Sequence, residues 1–363
     1  MTAPAELRRQ DRAAFLAEAG WAQAEQRTVI GDASTRSYER LQLGDRTALL
    51  MNAPPAAESA ACPPDADAPT RRRLGYNALA RLAGPNMHAF LEVDAALRAA
   101  GLSAPEIYRA DPAKGFALIE DLGDGLFAKA IPAGADEATL YAAAIDSLLA
   151  LRAAKPRAPI TPQYAMLSYD RLAMEAEVGL VTEWYWPFRK DKPAPSSAQA
   201  DYFAAWAGVL DALSEPSAMV LRDYHAENLL WLPDRAGPQR VGVIDFQDGL
   251  VGHAAYDLVS LLEDARRDVS PDLAEAMIAR YCDGARAQGA FDETAFRRDY
   301  AILAAQRNAK ILGIFARLIR RDNKPRYHDF LPRVEAHFRR DLERPALAPV
   351  KAFFLRHFPE AVR

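Results

Sequence analysis

Three short runs rich in apolar and β-branched positions stand near the start of the chain, at Thr28–Ile30, Ser37–Leu43 and Arg46–Met51, and predict strands. Gly44-Asp45 separates the last two and predicts a two-residue hairpin turn. A short helix is expected over residues 10–19, and a longer one over Asn86–Ala100, with Gly101 just past its end. Two further strands, Glu106–Arg109 and Phe116–Glu120, precede the break Asp121-Leu122-Gly123-Asp124-Gly125. Beyond it the apolar spacing turns helical, over Ala138–Ala153, Ser168–Leu180 and Gln199–Leu213. Short strands are expected near Ala218–Arg222, Asn228–Leu232 and Arg240–Ile244, and the remainder reads as helix. The Pro-, Ala- and Asp-rich stretch Ala53–Arg73 reads as a mobile insertion.

This order predicts an α+β fold with two lobes: residues 1–120 as a small β-rich lobe with one long helix, and residues 121–363 as a larger, mainly helical lobe. Half of the 363 residues are hydrophobic, enough for a large core. The net charge of −4 argues against a nucleic-acid partner. The charge is uneven: from Gln306 to the end there are 14 Lys and Arg against 6 Asp and Glu. Cys62 and Cys282 form no CxxC pair, which suits a reduced, cytoplasmic protein without structural zinc. No apolar run is long enough to span a membrane. The oligomeric state is not fixed by the sequence, and a monomer is compatible with it.

Chemistry concentrates in Leu221-Arg222-Asp223-Tyr224-His225-Ala226-Glu227-Asn228-Leu229-Leu230, followed by Val243-Ile244-Asp245-Phe246. An Asp with an Asn five places on matches the catalytic-loop spacing H-R-D-x-x-x-x-N, and Asp245-Phe246-Gln247 is close to D-F-G, with Gln in place of Gly. Phosphoryl transfer needs a carboxylate to orient the attacking hydroxyl and accept its proton. It also needs oxygen ligands that hold Mg²⁺ against the phosphates. Asp223 is therefore the expected base, and Asn228 and Asp245 the expected metal ligands. Taken singly, each is equally readable as a turn or cap residue; the joint spacing points to catalysis.

With Tyr256-Asp257-Leu258-Val259, these blocks resemble the aminoglycoside-phosphotransferase and choline-kinase superfamily. Within it the chain is most similar to the anomeric kinases for N-acetylmuramate and N-acetylglucosamine in peptidoglycan recycling. Four segments carry that likeness: Gly31-Asp32-Ala33-Ser34 with Arg36 and Tyr38, Leu50-Met51-Asn52-Ala53-Pro54-Pro55, Asp245-Phe246-Gln247-Asp248, and Gln306-Arg307-Asn308 with Leu312-Gly313-Ile314-Phe315-Ala316-Arg317-Leu318. The resemblance implies a two-lobed protein-kinase-like fold, ATP and Mg²⁺ as cofactors, a small sugar as substrate and a sugar α-1-phosphate as product. It implies ATP contacts from the Gly31–Thr35 loop, with Asp32, Ser34 and Arg36, and from the hinge at Glu120–Gly123, with Glu120 and Leu122.

One departure stands out. A kinase usually carries a Lys in its third strand, but Thr47-Ala48-Leu49-Leu50-Met51 has none. Either the chain binds nucleotide without turnover, or another cation, Arg36 or Arg40, replaces the Lys. Glu92, on the following helix, then reads as a solvated residue, Asp257 as structural and His225 as a loop brace. For the acceptor, Glu183 and Trp184 open the run Glu183-Trp184-Tyr185-Trp186, which suits either a sugar platform or a core anchor. Arg307, Lys310, Arg317 and Arg321 share a helix face beside the apolar stripe Ile311, Ile314, Phe315, Leu318 and Ile319. That face is either solvated, or brings Arg307 or Lys310 to an anionic group such as a lactyl carboxylate. The alternatives for function are an aminoglycoside or choline kinase and an inactive nucleotide-binding scaffold.

Overall fold

The computed structural model describes residues 3–29, 36–55, 61–82, 86–155 and 163–362. The first part runs α1 (Ala3–Glu18), β1 (Glu25–Val29), β2 (Ser37–Leu43), β3 (Arg46–Asn52), α2 (Ala68–Leu74), a π-helical turn (Asn77–Arg81), α3 (Met87–Ala99), β4 (Ile107–Asp111) and β5 (Phe116–Ile119). The helical part holds α4 (Phe127–Ala130), α5 (Glu137–Ala154), α6 (Arg171–Leu180), a second π-helical turn (Val181–Tyr185), α7 (Trp186–Lys190) and α8 (Ser196–Asp211). Four short strands follow, β6 (Ala218–Val220), β7 (Leu229–Trp231), β8 (Val241–Val243) and β9 (Leu250–Gly252). The chain ends in α9 (Ala255–Leu262), α10 (Pro271–Ala287), α11 (Glu293–Arg320), α12 (Leu331–Asp341), α13 (Ala348–His357) and α14 (Pro359–Val362).

The first five strands form an antiparallel sheet in the order β1-β2-β3-β5-β4. Gly44 takes φ +60° at the β2–β3 turn, a conformation that favours glycine because it lacks a Cβ. Side chains alternate across the strands, so each face buries its own set. Ala48, Leu50, Phe116 and Leu118 face α1, where Phe15 stacks on Phe116 at 5.5 Å between ring centres. Met51, Ala117 and Ile119 face the other way and join Phe90 and Val93 of α3 in the main core. That core continues into the helical part, so the two parts share one apolar interior. Each fully buried Phe or Leu contributes about 1.5–3 kcal/mol, which ties the sheet firmly to α3 and to the helices behind it.

The junction is rigidly seated. Gly125 O accepts from Trp231 N–H at 2.7 Å, and a Cβ at Gly125 would come within 2.8 Å of Trp231 O. Arg235 pairs with Glu120, while Glu120 N–H donates to Glu106 O at 2.7 Å. The stretch expected as a mobile insertion contains α2. Asp67 caps it by accepting from Thr70 N–H at 2.9 Å. Arg71 of α2 is buried and pairs with Asp170 while donating to Ala78 O at 3.2 Å and Leu79 O at 2.9 Å. This segment is therefore fastened to the N-terminus of α6. Gly313 brings α11 against α6, since a Cβ there would meet Leu180 backbone atoms at 2.6–2.7 Å. Among the described residues no helix is long and apolar enough to cross a membrane.

Candidate active site

The floor of the site is the loop from Leu221 to Asn228. Arg222 takes φ +72°, an uncommon and costly conformation for a residue with a side chain. Asp257, near the start of α9, holds it there: its carboxylate accepts from Leu221 N–H at 2.7 Å and Arg222 N–H at 2.8 Å. Burial pushes the Asp257 carboxyl up to about 7, with Asp223 adding to the effect, while the two N–H groups oppose it. Asp223 thus leaves a fixed turn. Its carbonyl accepts from His225 N–H at 3.1 Å and from Asn228 Nδ2 at 2.9 Å, which closes the loop on itself. His225 is buried beneath this loop, and burial lowers its pKa to about 4, so the ring is neutral near pH 7.

A hairpin brings in the third group. β7 and β8 pair Leu229 with Val243, and Ile244 N–H donates to Asn228 O at 3.1 Å. Asp245 follows immediately, at φ +59° and exposed to solvent on its free side. Asp223, Asn228 and Asp245 are therefore neighbours on one loop-and-hairpin unit, although 23 positions span them. Gln247 Nε2 donates to Asp245 Oδ1 at 2.7 Å. Asp248 is held by Arg81 Nε at 3.0 Å, and Phe246 stacks on Phe90 at 5.1 Å, which anchors the strand end to α3.

The two carboxylates have opposite surroundings. Desolvation by the surrounding protein raises the Asp245 carboxyl even though the residue keeps an exposed edge, and the charges of Asp223 and Asp248 raise it further, while Gln247 and Arg36 partly offset them. Burial also opposes ionisation of Asp223, but Lys310, Arg222 and Arg307 outweigh it and hold the group below its ordinary value. Lys310 and Arg222 belong to a buried cluster centred on Glu177 of α6. Glu177 pairs with Arg222 and with Lys310 Nζ at 3.2 Å, and accepts from Gln306 Nε2 at 3.0 Å and from Tyr169. Burial disfavours the Glu177 charge, yet Lys310 and Arg222 keep it below the usual carboxylate range. Glu177 was missed in the sequence. Its signal was a lone charge on the buried face of α6, between Ala173, Met174 and Val178.

Asp245 is exposed, and Asn228 donates its Nδ2 to Asp223 O, which leaves its Oδ1 as an acceptor. Among the described residues no three His, Cys, Asp or Glu side chains form a closed metal cage. Two protein oxygens completed by phosphates are what Mg²⁺ prefers, and the like charges of Asp223 and Asp248 beside Asp245 favour a divalent cation there.

The remaining expected residues separate. Asp32 and Ser34, with the rest of the Gly31–Thr35 loop, lie outside the described residues. Arg36 hydrogen-bonds Tyr38 and acts electrostatically on Asp245, so it stands near that carboxylate. Arg40 does not: it is tied to Asp121 at 2.5 Å and Asp124 at 2.9 Å at the junction, which removes it as the substitute for the absent Lys. Glu120 spends its carboxylate on Arg235, and Leu122 packs toward Gly242 of β8.

On the acceptor side the aromatic run divides. Tyr185 and Trp186 are core anchors, whereas Glu183 and Trp184 line a pocket of about 810 Å³ between α6, α8, α11 and the Gly75–Leu79 segment. Arg307 is a correction. It is 4% exposed, donates to Ser260 Oγ at 2.9 Å and does not line the pocket; it acts from behind Asp223. Lys310 is likewise engaged, between Glu177 and Tyr256 Oη at 3.2 Å, close enough to bias Asp223. Part of the basic C-terminal excess is paired with the acidic body, as in Arg333–Asp268 at 2.5 Å, Arg340–Glu263 at 3.1 Å and Arg320–Asp191 at 2.5 Å.

This geometry agrees with the comparisons to known proteins. The model of a family described as "Phosphotransferase enzyme family" matches residues 25–295. A protein of Caulobacter vibrioides named N-acetylmuramate/N-acetylglucosamine kinase is 47% identical over 362 residues, covering 97% of each chain. Choline kinase from Cryptosporidium parvum superposes with a TM-score of 0.55 at 10% identity, over 95% of this chain and 99% of that one. A spectinomycin phosphotransferase in complex with ADP and spectinomycin superposes with a TM-score of 0.52 at 10% identity, over 95% and 98% of the two chains. At such identities the last two speak for the fold alone, the two-lobed fold with a five-stranded sheet and a larger helical part.

Proposed function

The chain belongs to the phosphotransferase enzyme family, and from that membership we propose that it is a cytoplasmic kinase transferring the γ-phosphoryl of ATP to the anomeric hydroxyl of N-acetylmuramate and N-acetylglucosamine. The observation that carries a phosphoryl-transfer reading is the adjacency of Asp223, Asn228 and Asp245, fixed by the Asn228 Nδ2 and Ile244 N–H hydrogen bonds at 2.9 and 3.1 Å. The acceptor class follows from the relative that is 47% identical over nearly the whole chain.

In this reading Asp223 is ionised and accepts the proton of the sugar C1 hydroxyl as its oxygen attacks the γ-phosphorus. The bond from that phosphorus to the β,γ-bridging oxygen breaks, and ADP leaves. Asn228 and Asp245 hold Mg²⁺, which neutralises charge on the triphosphate when bound. Arg36 stands in for the strand Lys, and the backbone at Glu120–Leu122 receives the adenine.

ADP release measured in parallel with N-acetylmuramate, N-acetylglucosamine, kanamycin and choline tests this. Mg²⁺-dependent turnover with the two amino sugars, and a phosphorus resonance of a sugar 1-phosphate, is the expected result. ATP binding without turnover on any acceptor would instead mark a nucleotide-binding scaffold.

A further inference from the structure

The pocket between α6, α8 and α11 contains a guanidinium that forms no ion pair among the described residues, although Asp322 lies within its electrostatic reach. Its three arginines differ. Arg321 pairs with Asp322 at 2.7 Å, and Arg72 is exposed at the rim. Arg317 is half-buried, and its Nε is buried without a hydrogen-bond partner among the described residues. It forms no ion pair among them either; its guanidinium stands over the Tyr76 ring at 5.1 Å from the centre. A guanidinium half out of water with a donor unsatisfied is costly unless a ligand completes it.

Its position relative to the chemistry follows from α11. Lys310 and Arg317 are seven residues apart, two helical turns, and so lie on one face about 10 Å apart along the axis. Lys310 biases Asp223 directly. Tyr76 lies within electrostatic reach of Glu177, Lys310, Arg222 and Arg317, and its ring faces the Arg317 guanidinium. The wall that Tyr76 and Trp184 give the pocket is aromatic, and suits the face of a sugar ring.

We propose that Arg317 binds a carboxylate carried by the acceptor on C3, two ring atoms from its anomeric carbon, and so favours N-acetylmuramate over N-acetylglucosamine. This rests on the amino-sugar reading above. The two sugars differ by one lactyl ether at O3, which adds a single carboxylate. A planar guanidinium matches it through two parallel N–H donors. The carboxylates on the pocket wall do not compete for Arg317. Glu175 pairs with Arg171 at 2.8 Å, and Glu183 lies in the field of Arg321. With the neutral sugar, Arg317 keeps its place over Tyr76, so that sugar is accepted without the extra contact.

The test compares kcat/KM for the two sugars in the wild type and in Arg317→Met. A charge-assisted contact corresponds to about a 10- to 100-fold change. The ratio of N-acetylmuramate to N-acetylglucosamine should fall by that factor, chiefly through KM, and Arg317→Lys should restore part of it. An equal loss on both sugars would make Arg317 a structural residue and overturn the proposal. A second arm needs no variant: calorimetry on the wild type with N-acetylmuramate and with its uncharged lactyl amide. Weaker binding of the amide by the same factor is expected, and equal affinities would overturn the proposal. Absence of turnover by the wild type on either sugar is a separate outcome, and removes the amino-sugar reading itself.

Discussion

The floor and the wall of the site present the same functional group in opposite electrostatic settings. On the floor, Asp223 is backed by Lys310, Arg222 and Arg307, which keep it ionised against the cost of burial. On the wall, Asp245 meets the charges of Asp223 and Asp248 and has only Gln247 and Arg36 against them, so its carboxyl is raised. The difference teaches a division of labour. A proton acceptor gains from cations already built into the protein. A metal ligand is left short of positive charge, and that shortage favours an incoming divalent cation.

The largest expected effect comes from abolishing the floor's charge. Asp223→Asn should lower kcat about 10²- to 10⁴-fold, with ATP affinity retained, in an ADP-release assay. Full activity in that variant would remove Asp223 as the base. On the wall, Asp245→Ala should abolish the Mg²⁺-dependent part of ATP binding, seen as calorimetric titrations that coincide with and without Mg²⁺. If Mg²⁺ still strengthens binding, the metal is held elsewhere. Between the two regions, Lys310→Met makes the floor more like the wall. Loss of the cation raises the Asp223 pKa, so the acid limb of kcat/KM should move to higher pH. It also leaves Glu177 with one fewer partner, and a broken buried pair costs about 3–5 kcal/mol; an unshifted limb would show that Lys310 does not set the base. The smallest effect concerns the support beneath the floor. The folded His225 pKa is about 4, below the 6.5 of a free imidazole. Stability from the neutral ring is therefore complete above pH 6.5 and lost as pH falls through about 4. In urea unfolding across that window, His225→Gln should flatten the slope; an unchanged slope would clear His225 of this role.

Particular residues show where sequence reading succeeds. β2, β3 and β5 were legible because their two-residue alternation is a local property, and Gly44 marked the turn between β2 and β3. The spacing of Asp223, Asn228 and Asp245 was legible because one loop and one hairpin bring them together, with few residues between. Strand β9 was missed: Leu250–Gly252 is three residues long and pairs with β6, 30 positions away, so no local pattern announces it. Arg307 and Lys310 were read as a face open to substrate, because helical spacing tells which residues share a side but not what covers that side. α6, α9 and the Glu177 cluster cover it. Ala53–Arg73 was read as mobile from its composition, yet Asp170, 99 residues beyond Arg71, fastens its end.

The sequence by itself determined which chemistry the chain carries: local periodicity, turn residues and fixed spacing of Asp and Asn are properties of neighbouring positions. Only the tertiary structure decided which charges surround each carboxylate, which arginines are neutralised, and which one remains available. Those depend on contacts between segments far apart in the chain, and electrostatic strength depends on burial, which a linear pattern does not record.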